Sequence, residues 1–532
     1  MRVSAKYQNG KAVEMNLPSL TTGKVYIDQD RIIKHVETWI EARNLRIPGC
    51  NGNQVKARIV QRVVELSYEE YAQQAAAHVD ESGQPLPPAS SLIVAGCLKI
   101  CGVTGAVSVH PKQWLRQIAL FAVPWLHLLA FLFIAIFRRS PVDSVPTTLL
   151  MEAGGGYEQC DDRFAQYCRH GPIVPLSIAR RIFVRAPRAP QNPTDPTFSY
   201  VTQPLAHLVS TQLRRSQRVF LLAQHLLAPL VFLRAVFVNP VSVVVAHDIA
   251  YIPTVHWLDK HNLIEAIILT NSSFTVQPLW MKGLHNQRFK LHMVWYSQNF
   301  IPKVYVGEQE RSSLPSARHM RIDVHWVWTE GFKSYLREEV NQFCSDIHVV
   351  GPILWYLPER VDDLGNAEIK IAVFDITPMK EGQQVFGTLK NYYSSRLMQQ
   401  FVSDIVELCA ELENKKKKKI QILLKHKRMP SAAHHNYAYL DFLKGLERLN
   451  PNFKLIDHQT NIFGLLKECD LSIAVPYTST AYVASCVSKH AIYYDAFGEL
   501  TPIYEENEFV HFASNKQELK KLIQSHLAGN YQ

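Results

Sequence analysis

Two successive runs of alternating strand and helix signals, a Pro/Gly-containing acidic break between them, and one long uncharged segment ahead of both predict an α/β chain. It has two doubly wound sheets, an N-terminal extension and an apolar membrane-associating segment. The 532 residues are 47% hydrophobic and 20% charged, enough for two or three cores, which excludes a mostly disordered chain.

Residues 1–115 are weakly patterned, with helical periodicity only at Ile32 to Asn44 and Val55 to Val79, and no function follows from them. The opening MRVSAKYQNGKAVEMNLPSL has no apolar core and no small-residue cleavage pattern, so the expectation is a cytoplasmic catalytic portion without a secretory signal. Residues 116–139 contain Ile118 to Phe137, twenty residues without formal charge, which matches the hydrocarbon thickness of a bilayer. Basic residues flank it on both sides, so charge bias does not orient it, and spanning, re-entrant and surface-lying arrangements all fit. A second apolar run, Val219 to Val238, carries Gln224, His225, Pro229 and Arg234, and is expected to be a buried core helix, with a docking face as the alternative.

Strand signals in the first unit, 140–354, fall at Thr147 to Glu152, Val241 to Ala246, Leu263 to Thr270, Phe289 to Tyr296, Asp323 to Trp328 and Ile347 to Val350. Gly154-Gly155-Gly156 lacks the spacing of a dinucleotide-binding loop and reads as a flexible turn. Residues 355–368, WYLPERVDDLGNAE from Trp355, read as a linker. In the second unit, 369–532, strands are expected at Ile369 to Phe374, Ile420 to Lys425, Phe453 to Ile456, Leu471 to Val475, Ala491 to Tyr494 and Phe509 to Phe512, with helical patterns in most gaps. Strand–helix alternation of this kind calls for a mostly parallel, Rossmann-like sheet in each unit.

Ligands of such sheets sit beyond the carboxyl ends of the strands, so the residues that follow each strand are the candidate site. In the second unit these are Asp375 to Pro378, the cationic cluster Lys425-His426-Lys427-Arg428, the turn Pro476-Tyr477-Thr478-Ser479-Thr480, and Asp495. Hydroxyls at a helix start and fixed positive charge on a neighbouring strand end suit a phosphate. The same Ser and Thr residues are also ordinary helix caps, and the basic cluster also reads as a solvated loop. Asp375 and Asp495 are placed to meet a ribose or a base. Five consecutive lysines, Lys415 to Lys419, lie at the opposite edge and read as a solvated turn, with attraction to anionic lipid as the alternative.

A net charge of +10 and a pI near 9.0 imply an acidic partner. Nucleic acid is disfavoured, because the positive charge is not interleaved with an aromatic binding motif. Nine scattered cysteines without paired CxxC spacing read as buried thiols, so neither a zinc site nor a disulfide framework is expected.

The segments TNSSFTVQPLWM from Thr270, HMVWYSQN from His292, DVHWVWTEGF from Asp323, VVGP from Val349, VFDITP from Val373 and VPYTST from Val475 resemble bacterial surface-polysaccharide biosynthesis proteins named for a Pro-Phe-Thr-Ser motif. The resemblance runs from about Thr147 to Asp495, and Tyr477 stands where the motif has Phe. That family is similar to two-domain (GT-B type) transferases that use CMP-activated acidic sugars. By that resemblance His426 takes the place of the His of a His-Pro motif, with Lys427 instead of Pro, and Thr478-Ser479-Thr480 that of the Ser/Thr pair at the nucleotide phosphate.

The function implied is sugar transfer from a nucleotide donor, CMP-linked favoured, to a saccharide or lipid-linked saccharide at the cytoplasmic face of the bacterial inner membrane. No cofactor or metal is expected. Candidate bases for the acceptor hydroxyl are Asp248, preceded by His247 at the expected end of Val241 to Ala246, and Glu152 at the end of its strand. A phosphoglycerol or phosphosugar transferase and a non-catalytic assembly scaffold are the alternatives.

Overall fold

The computed structural model describes residues 3–6, 12–15, 37–38, 40–41, 45–62, 111–138, 145–151, 163–186, 195–270, 277–297, 304–307, 319–338, 340, 345–353, 367–378, 394–427, 429, 435–458, 460–502 and 507–528. The linker, the glycine triplet, Glu152 and Arg428 lie at or beyond these limits, so the expectations placed on 355–366, 154–156, Glu152 and Arg428 fall outside the described residues.

The strands number β1 to β15 along the chain. An antiparallel hairpin, β1 (Val3–Lys6) and β2 (Ala12–Met15), stands apart in the N-terminal extension. The first large sheet holds β3 (Thr147–Met151), β4 (Ile182–Arg185), β5 (Phe198–Val201), β6 (Ile264–Leu269), β7 (Lys290–Val294), β8 (Val324–Val327) and β9 (Asp346–Val349) in the order β5-β4-β3-β6-β7-β8-β9. Every pairing in it is parallel.

The second sheet holds β10 (Ile369–Phe374), β11 (Ile420–Lys425), β12 (Phe453–Ile456), β13 (Leu471–Ala474), β14 (His490–Tyr494) and β15 (Val510–Ala513) in the order β12-β11-β10-β13-β14-β15. It too is all parallel. Both sheets therefore reverse strand order beside their first strand, the doubly wound arrangement that opens a crevice at the switch point.

Strands such as IKIAVF and IQILLK are apolar almost throughout because helices cover both faces of a parallel sheet. The helices between them start where short polar side chains take up orphan N–H groups. Ser394 accepts from the Leu397 amide, Asn436 from Tyr439 and Asn461 from Gly464.

Two sequence expectations change. Val241 to Ala246 is not a strand: Pro240–Val245 is a 3-10 helix that runs into the helix Ala246–Lys260. Proline at the first turn and the Asn239 side chain, which accepts from the Val241 amide, start that helical geometry. Strands β4 and β5 are additions to the expected set: IFVR follows Arg180-Arg181 and ends in Arg185, and FSYV follows a proline-rich stretch, so neither stands out as an apolar run.

Described residues of the N-terminal region pack on the first unit. Ile40, Leu45, Ile47, Val55 and Ile59 join the apolar core of the first sheet, and Lys282 Nζ donates to Gln61 Oε1 at 2.7 Å.

Val219 to Val238 is the second change. It forms two helices, Arg215–Leu226 and Ala228–Val238, broken at Leu227 ahead of Pro229, and both carry exposed apolar side chains instead of being buried all round. Of Lys415 to Lys419, expected as a turn, Lys415 and Lys416 end the helix Ser395–Lys416, and the turn begins at Lys417, which closes that helix in the left-handed region at φ 54°.

Candidate functional site

At the switch point of the second sheet, the carboxyl ends of β10, β11 and β13 converge on a cavity of about 270 Å³. Phe374, Asp375, Lys425, His426, Lys427, Ile462, Thr478, Ser479 and Thr480 line it from the second sheet, and Tyr296 and Ser297 from the loop after β7 of the first. Seven of the residues picked from the sequence are therefore brought together: Asp375, Lys425, His426, Lys427, Thr478, Ser479 and Thr480.

Asp375 lines this cavity and is the hub of its hydrogen bonds. Its Oδ2 accepts from the Tyr439 hydroxyl at 2.9 Å and from His426 Nδ1 at 3.2 Å; its Oδ1 accepts from Thr377 Oγ1 at 3.0 Å and from the Lys427 amide at 3.2 Å. Burial and the adjacent Asp375 carboxylate push the Tyr439 phenol well above its ordinary range, so it remains a donor. With Nδ1–H held by Asp375, Nε2 is the nitrogen His426 offers to the cavity.

Lys425 is nearly enclosed, and its ammonium donates to the backbone oxygens of His458 (2.7 Å) and His426 (3.3 Å). Burial lowers its pKa to about 8, against the opposing pull of Asp375 and Asp457. A cation with two neutral carbonyl partners at a cavity wall keeps its charge unneutralised by direct contact.

The turn after β13 takes its shape from Tyr477, which sits at φ 62°, a conformation that non-glycine residues rarely adopt. Its ring lies beside Tyr493 and Phe512, and its hydroxyl donates to Thr501 O at 2.9 Å. Tyrosine in place of phenylalanine thus finds the partner its extra hydroxyl requires. Thr478 Oγ1 donates to Val475 O, and Tyr493 donates to Thr478 O.

The following helix, Thr480–Ser485, has only six residues, and Ser479 makes no side-chain cap on it. Hydroxyls, rather than a long helix dipole, are the polar groups this turn brings to the cavity. Instead of capping, Ser479 Oγ meets Ser297 Oγ across the cleft at 3.0 Å.

A second link joins the units beside this cleft. Tyr305 and Leu500 form an antiparallel bridge, with the Val306 amide donating to Glu499 O and the Thr501 amide to Val304 O. Asp495 serves that bridge. It accepts from the Leu500 amide at 2.7 Å and the Phe497 amide at 3.2 Å, and it does not line the cavity. Burial raises its pKa in spite of those N–H donors. Pro476 and Tyr477 lie in the turn behind the lining residues.

Asp248, the first base expected from the sequence, is fully committed inside the first unit. Its Oδ2 bonds Arg58 Nε at 2.6 Å and the Leu279 amide at 2.8 Å. Burial alone would raise its pKa, but Arg58, His247 and the Leu279 N–H outweigh burial and hold it well below the carboxylate range. A carboxylate so placed is a poor proton acceptor. The half-exposed neighbour is His247, whose Nδ1 lies 3.8 Å from Asp248 Oδ1 and whose ring packs on Tyr251.

Tyr296 and Ser297 were not picked from the sequence, although they sit in the segment HMVWYSQN. Their position immediately after β7 was the available signal. Among the described residues, no group of three or more His, Cys, Asp or Glu is arranged to hold a metal ion.

The sequence profile described as "Polysaccharide biosynthesis PFTS motif protein" matches residues 231–523, more than half of the chain. Among solved structures, sucrose-phosphate synthase from Thermosynechococcus elongatus aligns at 11% identity and TM-score 0.40, over 72% of this chain and 90% of that one. The wall teichoic acid polymerase TagF with CDPG aligns at 10% identity and TM-score 0.39, over 80% of this chain and 91% of that one. A putative UDP-N-acetylglucosamine 2-epimerase from Listeria monocytogenes aligns at 10% identity and TM-score 0.41, over 73% and 90%. No curated protein matches.

Proposed function

The chain belongs to the polysaccharide biosynthesis PFTS motif proteins, and from that premise we propose that it is a glycosyltransferase of surface-polysaccharide assembly. It uses a nucleotide sugar, CMP-linked in the first instance, and a saccharide or lipid-linked saccharide acceptor at the cytoplasmic face of the inner membrane. The observation that carries this reading is the cleft cavity, where Lys425, His426 and the Thr478 to Thr480 hydroxyls of one sheet face Ser297 of the other. Fixed positive charge, neutral donors and a wall supplied by a second domain suit a nucleotide phosphate that leaves during transfer.

In the proposed reaction the acceptor oxygen bonds to the anomeric carbon while the bond from that carbon to the donor phosphate oxygen breaks, and the electron pair departs with the nucleotide. Lys425 and His426 Nε2 meet the charge that develops on the phosphate. The acceptor proton passes to His247, oriented by Asp248, with Glu152 as the carboxylate alternative.

The test is a binding and product screen of the purified chain with CMP-, UDP-, GDP- and CDP-linked donors. One donor is expected to raise the melting temperature and to release its nucleotide only when acceptor is present. Binding of none of the four, together with a Ser479→Ala variant identical to wild type, would sink the proposal. Transfer of donor phosphorus to the acceptor would select a phosphoglycerol or phosphosugar transferase instead.

A second expectation concerns pH. Lys425 is charged below about pH 8 and neutral above it, so log kcat/KM should bend downward near pH 8 as the free protein loses this cation. Lys425→Met should abolish that bend and lower kcat/KM on the acid side. A profile flat to about pH 10 would remove Lys425 from the phosphate's neighbourhood.

A further inference from the structure

The helix Pro111–Ile136 (α1) and the helices Arg215–Leu226 (α2) and Ala228–Val238 (α3) form one antiparallel layer on the first unit. Phe121 stacks on Phe232 at 4.4 Å, Trp125 Nε1 donates to His225 O at 3.0 Å, and Arg218 Nη1 donates to the carbonyls of Ala135 and Arg138 at the end of α1. One face of this layer is built into the domain. Phe121, Leu128 and Leu132 belong to the same core cluster as Leu149 and Ile267 of the sheet, and α1 packs along the buried helix Ala246–Lys260 (α4).

The opposite face is open and apolar. Val123 is 67% exposed, Leu230 62% and Phe237 92%, with Leu126, Phe133 and Leu233 alongside. Isolated exposed leucines are ordinary, but a continuous stripe on two neighbouring helices marks an interaction surface.

Two observations name what covers it. Residues 111–142 and 204–247 contain no Asp or Glu at all, whereas Arg116, Arg138, Arg214, Arg215 and Arg234 lie exposed toward the two ends of the layer. An apolar strip bounded by arginines complements an anionic lipid surface. A second copy of the chain is a poor fit, because a twofold contact would set arginines against arginines with no carboxylate on the face to answer them.

The packing also decides the geometry. At 26 residues α1 is about 39 Å long, enough to cross a bilayer. Yet the polar α/β domain lies against the layer, so crossing would carry that domain into hydrocarbon.

We propose that the α1/α2/α3 layer is an in-plane, monotopic docking face for one leaflet of an anionic bilayer, its outer side chains entering to a depth of about 5–10 Å. This rests on the membrane attachment in the functional reading above, and sharpens it to one surface and one orientation.

The test needs no sugar donor, so its outcome is independent of catalysis. The full chain is floated with vesicles of neutral lipid or of neutral lipid mixed about 7:3 with phosphatidylglycerol. Wild type is expected to bind the anionic vesicles at least tenfold more tightly. Val123→Asp combined with Leu230→Asp should abolish flotation with an unchanged urea midpoint, and Arg116→Glu with Arg234→Glu should erase the anionic preference. Nitroxides on Leu115→Cys, Leu126→Cys and Phe137→Cys, placed singly in a background with Cys97, Cys101, Cys160, Cys344 and Cys486 replaced by Ser, should report equal shallow depths.

Depths running from one interface through the centre to the other would overturn the in-plane arrangement. Unchanged flotation of the Val123→Asp/Leu230→Asp protein would overturn the face itself. A lipid-free dimer of wild type that this double variant dissolves, without vesicle binding by either, would assign the face to a second copy and overturn lipid docking.

Discussion

Asp375→Ala is expected to cost about 3–5 kcal/mol of stability, the range found when one partner of a buried polar network is removed. The substitution strands the Tyr439 hydroxyl, His426 Nδ1–H, Thr377 Oγ1 and a share of the Lys427 amide around an empty site. Tyr439 cannot turn to water, since it is fully enclosed on the helix Tyr437–Leu449. Asp375→Asn should cost less, about 2 kcal/mol, because its amide group turns one acceptor into a donor facing other donors. Tyr439→Phe, which removes one donor and leaves the carboxylate three, should cost about 1 kcal/mol.

Urea midpoints measure all three. An Asp375→Ala protein within about 0.5 kcal/mol of wild type would show that the carboxylate does not organise this end of the sheet. The same variant should lower nucleotide release more than its stability loss explains, because His426 is left without its orienting acceptor.

His426→Ala is the larger effect on activity. A fall in kcat/KM of about 10²- to 10³-fold is expected, the range seen when one preorganised donor to a developing anion is removed. The fold should survive, since the ring reaches the cavity and only its Nδ1 bond to Asp375 is internal. His426→Gln, which can offer an N–H, should recover part of the loss. Rates of nucleotide release at saturating and subsaturating donor separate a defect in kcat from one in KM, and a transition-state role places most of it in kcat. Activity within threefold of wild type, with unchanged donor affinity, would remove His426 from the chemistry.

The second sheet was legible to within a residue or two at most strand ends, because a strand covered on both faces must be apolar along nearly all its length. The polar residues that end β10, β11 and β13 were legible for the same reason: the chain leaves hydrocarbon where Asp375, Lys425 and Pro476 stand. The first unit was harder. Strand β4 is bracketed by arginines and β5 follows a proline-rich stretch, so neither stands out from its surroundings, and Val241 to Val245 is a valine-rich run that the preceding Asn239 and Pro240 start as a 3-10 helix instead.

What the sequence determined by itself was where the chain is apolar and where it turns, and with that two parallel sheets, the order of elements in the second, and the rim where its strands end. What only the tertiary structure decided was the partner of each polar group. Asp375 and Asp495 look alike as strand-ending carboxylates, yet one orients His426 and the other folds the loop that bridges the two units. Ser297 reaches Ser479 from 182 residues away. Val219 to Val238 is as hydrophobic as a core helix, yet its outer face is open. Hydropathy records how strongly a group avoids water; which neighbour replaces the water depends on strand order and helix placement, which belong to the whole fold.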